Sequence, residues 1–173
     1  MKKLLARVAL VLVSILPGCG SDPPAPEPPP APAPPPPPTR VLWKIEAGAN
    51  VNPDATGRSS PLLVRIYQLK TLTGFNRSDF FSLYQDDNKA LAADLVQKEE
   101  FTLRPGDQRA LDFEPKPETQ ALAAIAAFRS LDSARWRATV TLAPHSTNSI
   151  VVRLTTNQLD MSVEKRGGEG APP

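Results

Sequence analysis

Apolar positions divide the chain into three stretches. An apolar run, Val8–Leu16, is followed by a segment with almost nothing to bury, and alternation begins only near residue 41. "VLWKIEAGAN" (41–50) alternates loosely and predicts a strand. "LLVRIYQL" (62–69) predicts a second, with Leu62, Val64 and Ile66 on one face and Arg65 and Tyr67 on the other. Between them, "NVNPDATGRSSP" (50–61) is dense in turn formers and longer than a hairpin needs. "NRSDFFSLYQ" (76–85) predicts a short helix, with Asn76 or Ser78 as N-cap, Asp79 in its first turn, and Phe80, Phe81 and Tyr84 on its inner face. Another turn or two of helix is expected from Asp86-Asp87.

"DLVQKEEFTL" (94–103), the turn "RPGD" (104–107) and "QRALDF" (108–113) predict a β-hairpin. "RWRATVTL" (135–142) and "NSIVVRLTTNQL" (148–159) are expected as strands joined by a polar turn with Pro144 and His145. The segment "ALAAIAAFRS" (121–130) is contested. Alanine and leucine favour helix by intrinsic propensity, and Leu122, Ile125 and Phe128 recur at helical spacing. Several short strands separated by turn signals point to a β-sandwich, with Trp43, Phe101, Phe113 and Trp136 as core candidates.

Composition sharpens the division. The chain has 173 residues and 21 prolines, and 13 of those prolines fall between Pro17 and Pro38. The segment "DPPAPEPPPAPAPPPPP" (22–38) has few backbone donors and fixed φ at most positions, so it predicts a solvated polyproline II strut. Its 17 residues at about 3.1 Å each reach roughly 50 Å. Lys2, Lys3 and Arg7 precede the apolar run in a secretory signal pattern too short for a spanning helix. The expected organisation is therefore a signal peptide (1–18), a cysteine-led tether (19–39), a β-sandwich domain (40–162) and a disordered tail (163–173).

The single cysteine, Cys19, cannot form an internal disulfide, and with one histidine in the chain it makes no metal site. Leu16-Pro17-Gly18-Cys19 resembles the lipobox of bacterial lipoproteins. That resemblance implies a diacylglyceryl group on the thiol and an acylated Cys19 as the new N-terminus, since stable anchoring takes more than one chain. Gly20 and Ser21 follow with no acidic residue directly after the cysteine, which resembles sorting to the outer membrane.

The formal charge is +2, but removing Lys2, Lys3 and Arg7 leaves 17 basic residues against 18 acidic ones. No basic stripe interleaved with aromatics remains, which argues against a nucleic-acid partner. His145 reads as a solvated loop residue, and the adjacent pairs Asp86-Asp87 and Glu99-Glu100 read as solvated faces. Glycosidase chemistry needs carboxyls facing one another across a substrate, which sequence adjacency does not supply. No phosphate-binding loop or nucleophile elbow is present in the sequence. No cofactor and no enzymatic activity are expected.

The ordered set "SSPLLVRIYQLKTLTGFNRSDFFSLYQDD", "FTLRPGD" and "AIAAFRSLDSARWRATV", together with the lipobox, resembles the TssJ family of outer-membrane lipoproteins of the type VI secretion system. The resemblance spans about residues 41–160. It implies an all-β, transthyretin-like β-sandwich of two four-stranded sheets with a short extra helix, and it makes 121–130 a strand against the propensity reading. It also implies that the loop at 50–60 binds the C-terminal periplasmic domain of TssM, an inner-membrane protein. On this chain that assigns contact to Asn52, Pro53, Asp54, Ala55, Thr56, Gly57, Arg58 and Ser59. Two other functions fit the same organisation. One is a periplasmic carrier of a small apolar ligand between the sheets, which requires an open apolar pocket. The other is a pilotin-like chaperone for an outer-membrane channel.

Overall fold

A computed structural model describes residues 33–164. The expected signal peptide, Cys19, most of the expected tether and residues 165–173 lie outside the described residues. Residues from Pro35 onward form one compact unit.

Eight strands form two sheets. One has the order β4-β1-β7-β8 and the other β3-β2-β5-β6. Strand β1 (Arg40–Ala47) turns Val41, Trp43, Ile45 and Ala47 inward and leaves Arg40 and Lys44 outside. It pairs antiparallel with β4 (Gln108–Phe113) and parallel with β7 (Thr147–Leu154). Strand β2 (Leu62–Leu69) lies between β3 (Leu95–Leu103) and β5 (Ala121–Ala126), antiparallel to both, and β5 also pairs with β6 (Arg137–Thr141). The core between the sheets holds Val41, Trp43, Ile45, Val64, Leu122 and Val152.

The segment 121–126 is a strand, as the family resemblance implies and against its helical propensity. Tertiary packing explains why. All six residues are buried: Leu122, Ala124 and Ala126 face the inter-sheet core, and Ala123 and Ile125 face a second apolar cluster beneath three helices. A strand covered on both faces loses the alternation that normally marks it.

Two pairings depart from the sequence reading. Residues 94–113 are not a hairpin, because β3 joins β2 in one sheet and β4 joins β1 in the other. The turn at 104–107 is thus a corner between sheets, held by Gly106 N–H and Ala47 N–H donating to Ala47 and Asp107 carbonyls. The single strand expected over 148–159 is a hairpin, β7 with β8 (Leu159–Val163), closed where Thr155 N–H donates to Gln158 carbonyl at 2.9 Å. Val163, expected in the tail, ends β8.

The helix expected over 76–85 is two short ones, α1 (Thr73–Arg77) and α2 (Phe80–Gln85), and the further turn expected from Asp86-Asp87 is α3 (Asp87–Leu91). Neither Asn76 nor Ser78 caps α2. Asp79 does, its carboxylate accepting from Ser82 N–H at 2.8 Å, and Asp86 caps α3 in the same way. The inner face of α2 is Phe80 and Leu83, whereas Phe81 is 60% and Tyr84 39% exposed. Asp87 is not on a solvated face. It is buried against sheet β3-β2-β5-β6, 2.9 Å from the Arg65 guanidinium and 2.6 Å from Lys98 Nζ. Arg65 is also paired with Glu100. Burial at the same place pushes the Tyr67 hydroxyl up to about 12. Trp43 is buried, whereas Phe101, Phe113 and Trp136 pack partly buried against the core.

Candidate functional site: the loop between the first two strands

β1 defines two opposite poles of the sandwich. At its start, His145 N–H donates to Thr39 Oγ1 at 2.8 Å and the His145 ring nitrogen lies 3.1 Å from Pro37 carbonyl oxygen. The last tether residues are thus bonded to the β6–β7 turn, and His145 is the exposed loop residue expected from the sequence. At its far end β1 runs into the connection 48–61, which is the long loop singled out by its turn formers.

The base of this loop is buried. Asn52 has φ 50°, a left-handed conformation that asparagine tolerates better than most residues, and is only 4% exposed. Its Nδ2 donates to Pro61 carbonyl at 2.9 Å, and its Oδ1 accepts from Arg129 N–H at 2.8 Å. Its own N–H donates to Thr156 carbonyl at 2.8 Å. One side chain and one amide therefore tie the loop to itself, to the β5–β6 connection and to the β7–β8 turn. Asn50 Nδ2 adds a bond to Thr156 Oγ1 at 2.8 Å. Val51 and Ser60 are buried beside it.

The tip is a separate small structure. Asp54 Oδ1 accepts from Thr56 N–H (2.9 Å), Thr56 Oγ1 (2.7 Å) and Arg58 N–H (3.0 Å). Asp54 N–H donates to Arg58 carbonyl and Gly57 N–H to Asp54 carbonyl, so the tip closes on itself. Gly57 sits at φ 82°, where a side chain is strained. The Thr56 hydroxyl, with the Arg58 and Thr56 amides, holds the Asp54 carboxyl below the ordinary carboxylate range. Ala55, Thr56, Gly57 and Arg58 are exposed, and the Arg58 side chain, though 3.3 Å from Asp54, is 84% exposed.

The eight residues assigned to partner contact therefore divide. Asn52 is a buried pin. Pro53, Asp54 and Ser59 are half-buried, and Ser59 Oγ is bonded to Ala49 carbonyl at 2.7 Å. Ala55–Arg58 form the accessible rim. Asparagine in a turn-rich run is a signal for positive φ, but its partners Arg129 and Thr156 are remote in sequence and carry no local mark.

Between the sheets, Trp43, Ile45, Ile66, Phe101 and Phe113 surround a cavity of about 20 Å³. Trp43 Nε1 is buried without a hydrogen-bond partner among the described residues. The space suits about one water molecule and is far below the few hundred Å³ of a small-molecule site. A carrier of an apolar ligand has no observation in its favour. Among the described residues no group of His, Cys, Asp and Glu is placed to hold a metal ion.

Comparison with known proteins gives a consistent picture. The family described as "Type VI secretion lipoprotein, VasD, EvfM, TssJ" matches residues 39–157. The crystal structure of the T6SS lipoprotein TssJ1 from Pseudomonas aeruginosa shares 35% identity, covering 79% of this chain and 100% of that one, with a TM-score of 0.72. Lip from Serratia marcescens, a membrane-bound component of the type VI secretion system, is similar at 22% identity, covering 75% of this chain and 99% of its own, with a TM-score of 0.66. A chain in the structure of the T6SS protein TssM C-terminal domain (869-1107) from EAEC matches at 22% identity, covering 73% and 98%, with a TM-score of 0.58. The last two likenesses speak to the fold alone. No curated protein sequence matches.

Proposed function

The chain belongs to the TssJ family of type VI secretion lipoproteins, and from that premise we propose that it is a non-enzymatic scaffold of the secretion membrane complex. In this reading a lipid on Cys19 anchors it to the inner leaflet of the outer membrane. The proline strut carries the sandwich into the periplasm, and the loop at 50–60 grips the C-terminal periplasmic domain of TssM. The work is mechanical: one protein couples two membranes without turnover.

The observation that carries the reading is the separation of tether and loop. The tether enters at Thr39 and the loop leaves after Ala47, so the eight residues of β1 lie between them. At about 3.3 Å per residue that is roughly 26 Å. A domain hung by one pole presents the other away from the anchor, and the presented pole carries a closed, exposed tip on a buried base. Preorganisation of this kind lowers the ordering cost of binding.

Two measurements test it. Excising residues 54–58 and closing the gap with Gly-Gly, with Asn52 retained, is expected to abolish pull-down of the TssM periplasmic domain while the circular dichroism spectrum stays unchanged. Undiminished capture overturns the loop assignment. Palmitate labelling is expected with Cys19 and absent in Cys19→Ser; equal labelling of both overturns the anchor.

A further inference from the structure

The accessible rim of the loop is small. Ala55–Arg58 offer four exposed residues, whereas a stable protein–protein interface takes about 20–30 residues a side. A partner held by this loop must cover more of the surface around it, and that surface is not uniform. Resting on the loop reading above, we propose that the TssM contact continues from the loop across the β5–β6 connection onto helix α2, where Phe81 is an apolar anchor flanked by Tyr84.

The path is continuous in contacts. Asn52 Oδ1 accepts from Arg129 N–H, at the start of that connection. Arg135 N–H, near its end, donates to Asn157 carbonyl in the turn that also holds Asn50 and Asn52. The next residue, Trp136, meets Phe80 edge to face at 5.4 Å between ring centroids. Phe80 in turn touches Phe81 (5.5 Å) and stacks on Tyr84 (5.3 Å). Arg137 lies 5.0 Å over Trp136 and donates to Asn76 and Ser78 carbonyls, fixing the approach to the helix.

Phe81 is the most exposed large apolar side chain of the described residues. The fold does not use it, because Phe80 and Leu83 supply the helix's buried face. Its rigid ring stands on a ring already packed in place, so it loses little freedom on being covered. Aromatic side chains in that state, with arginines beside them, are the residues that dominate binding energies in protein interfaces. Arg65, 5.5 Å from the Tyr84 ring and bonded to Leu83 and Tyr84 carbonyls, holds the flank.

The test uses the full chain in detergent and the TssM C-terminal periplasmic domain, with the dissociation constant read by biolayer interferometry. Phe81→Lys is expected to weaken binding by roughly tenfold or more, and Phe81→Leu, which keeps an apolar anchor, by much less. Both variants should melt like the parent, since Phe81 contributes little burial. If the 54–58 excision abolishes binding while Phe81→Lys leaves it unchanged, the extended contact is wrong and the loop reading stands. If neither change matters, both fall. If Phe81→Lys instead alters only the sedimentation of the protein by itself, the patch is a contact between copies and the inference is overturned.

Discussion

The helical insertion and the tip of the loop at 50–60 both interrupt the sandwich, yet they are held by opposite means. The insertion is fastened through buried charge. Asp87 lies under α3 between Arg65 and Lys98, and two of those three groups belong to the sheet it covers. The loop tip is held by itself: every bond Asp54 makes goes to residues within four positions, at the surface. One region is therefore part of the fold's cooperativity and the other stands outside it. Substitutions at the tip can reach a partner without passing through stability, and substitutions under the helices cannot.

The largest expected effect lies under the helices. Asp87→Ala leaves Lys98 without its carboxylate and Arg65 with only Glu100, so it should destabilise the domain by about 3 kcal/mol, the range for breaking a buried pair. Urea denaturation measures this, and a loss well under 1 kcal/mol would place Asp87 with the surface charges and erase the contrast. The loop base is intermediate. Asn52→Ala orphans Arg129 N–H and Pro61 carbonyl and puts a Cβ-only side chain at φ 50°, and should cost about 2 kcal/mol. Asn52→Gly removes the same bonds without the strain, so its melting temperature should fall between those of parent and alanine variant.

These contacts also explain which parts of the molecule were legible in the sequence. β1 shows its period because its outer face is polar, β2 because Arg65 and Tyr67 mark its second face although the helices cover it, and the long loop announces itself through Asn50, Asn52, Pro53 and Gly57. Strand β5 does not, because helices cover its second face and alanines fill both sides; only the family resemblance recovered it. The corner at 104–107 reads as a hairpin in the sequence because a tight turn looks the same whether its strands pair or part. Asp87 reads as a solvated neighbour of Asp86 because adjacency conceals that one caps a helix from outside while the other points beneath it. The burial of Asn52 is hidden in the same way, because a turn residue and a pin have one composition and two burials.

The smallest effect on stability should come from the tip, where pH offers the sharpest probe. Asp54 titrates below the ordinary carboxylate range because its charged form accepts bonds from the Thr56 hydroxyl and the Thr56 and Arg58 amides. A folded pKa below the unfolded one contributes order that is complete above the unfolded value, near 4, and is lost as pH falls through the folded value. The amide resonances of Thr56 and Arg58 should therefore hold still down to about pH 4 and shift together below it. Resonances from β1 and β5 should stay unmoved over the onset of that shift. Asp54→Asn should shift the tip amides at all pH values and flatten their titration, with the melting temperature nearly unchanged. A tip that titrates in step with the sandwich would mean that the loop is bound into the fold as firmly as the helices, and that its exposed rim is not an independent module.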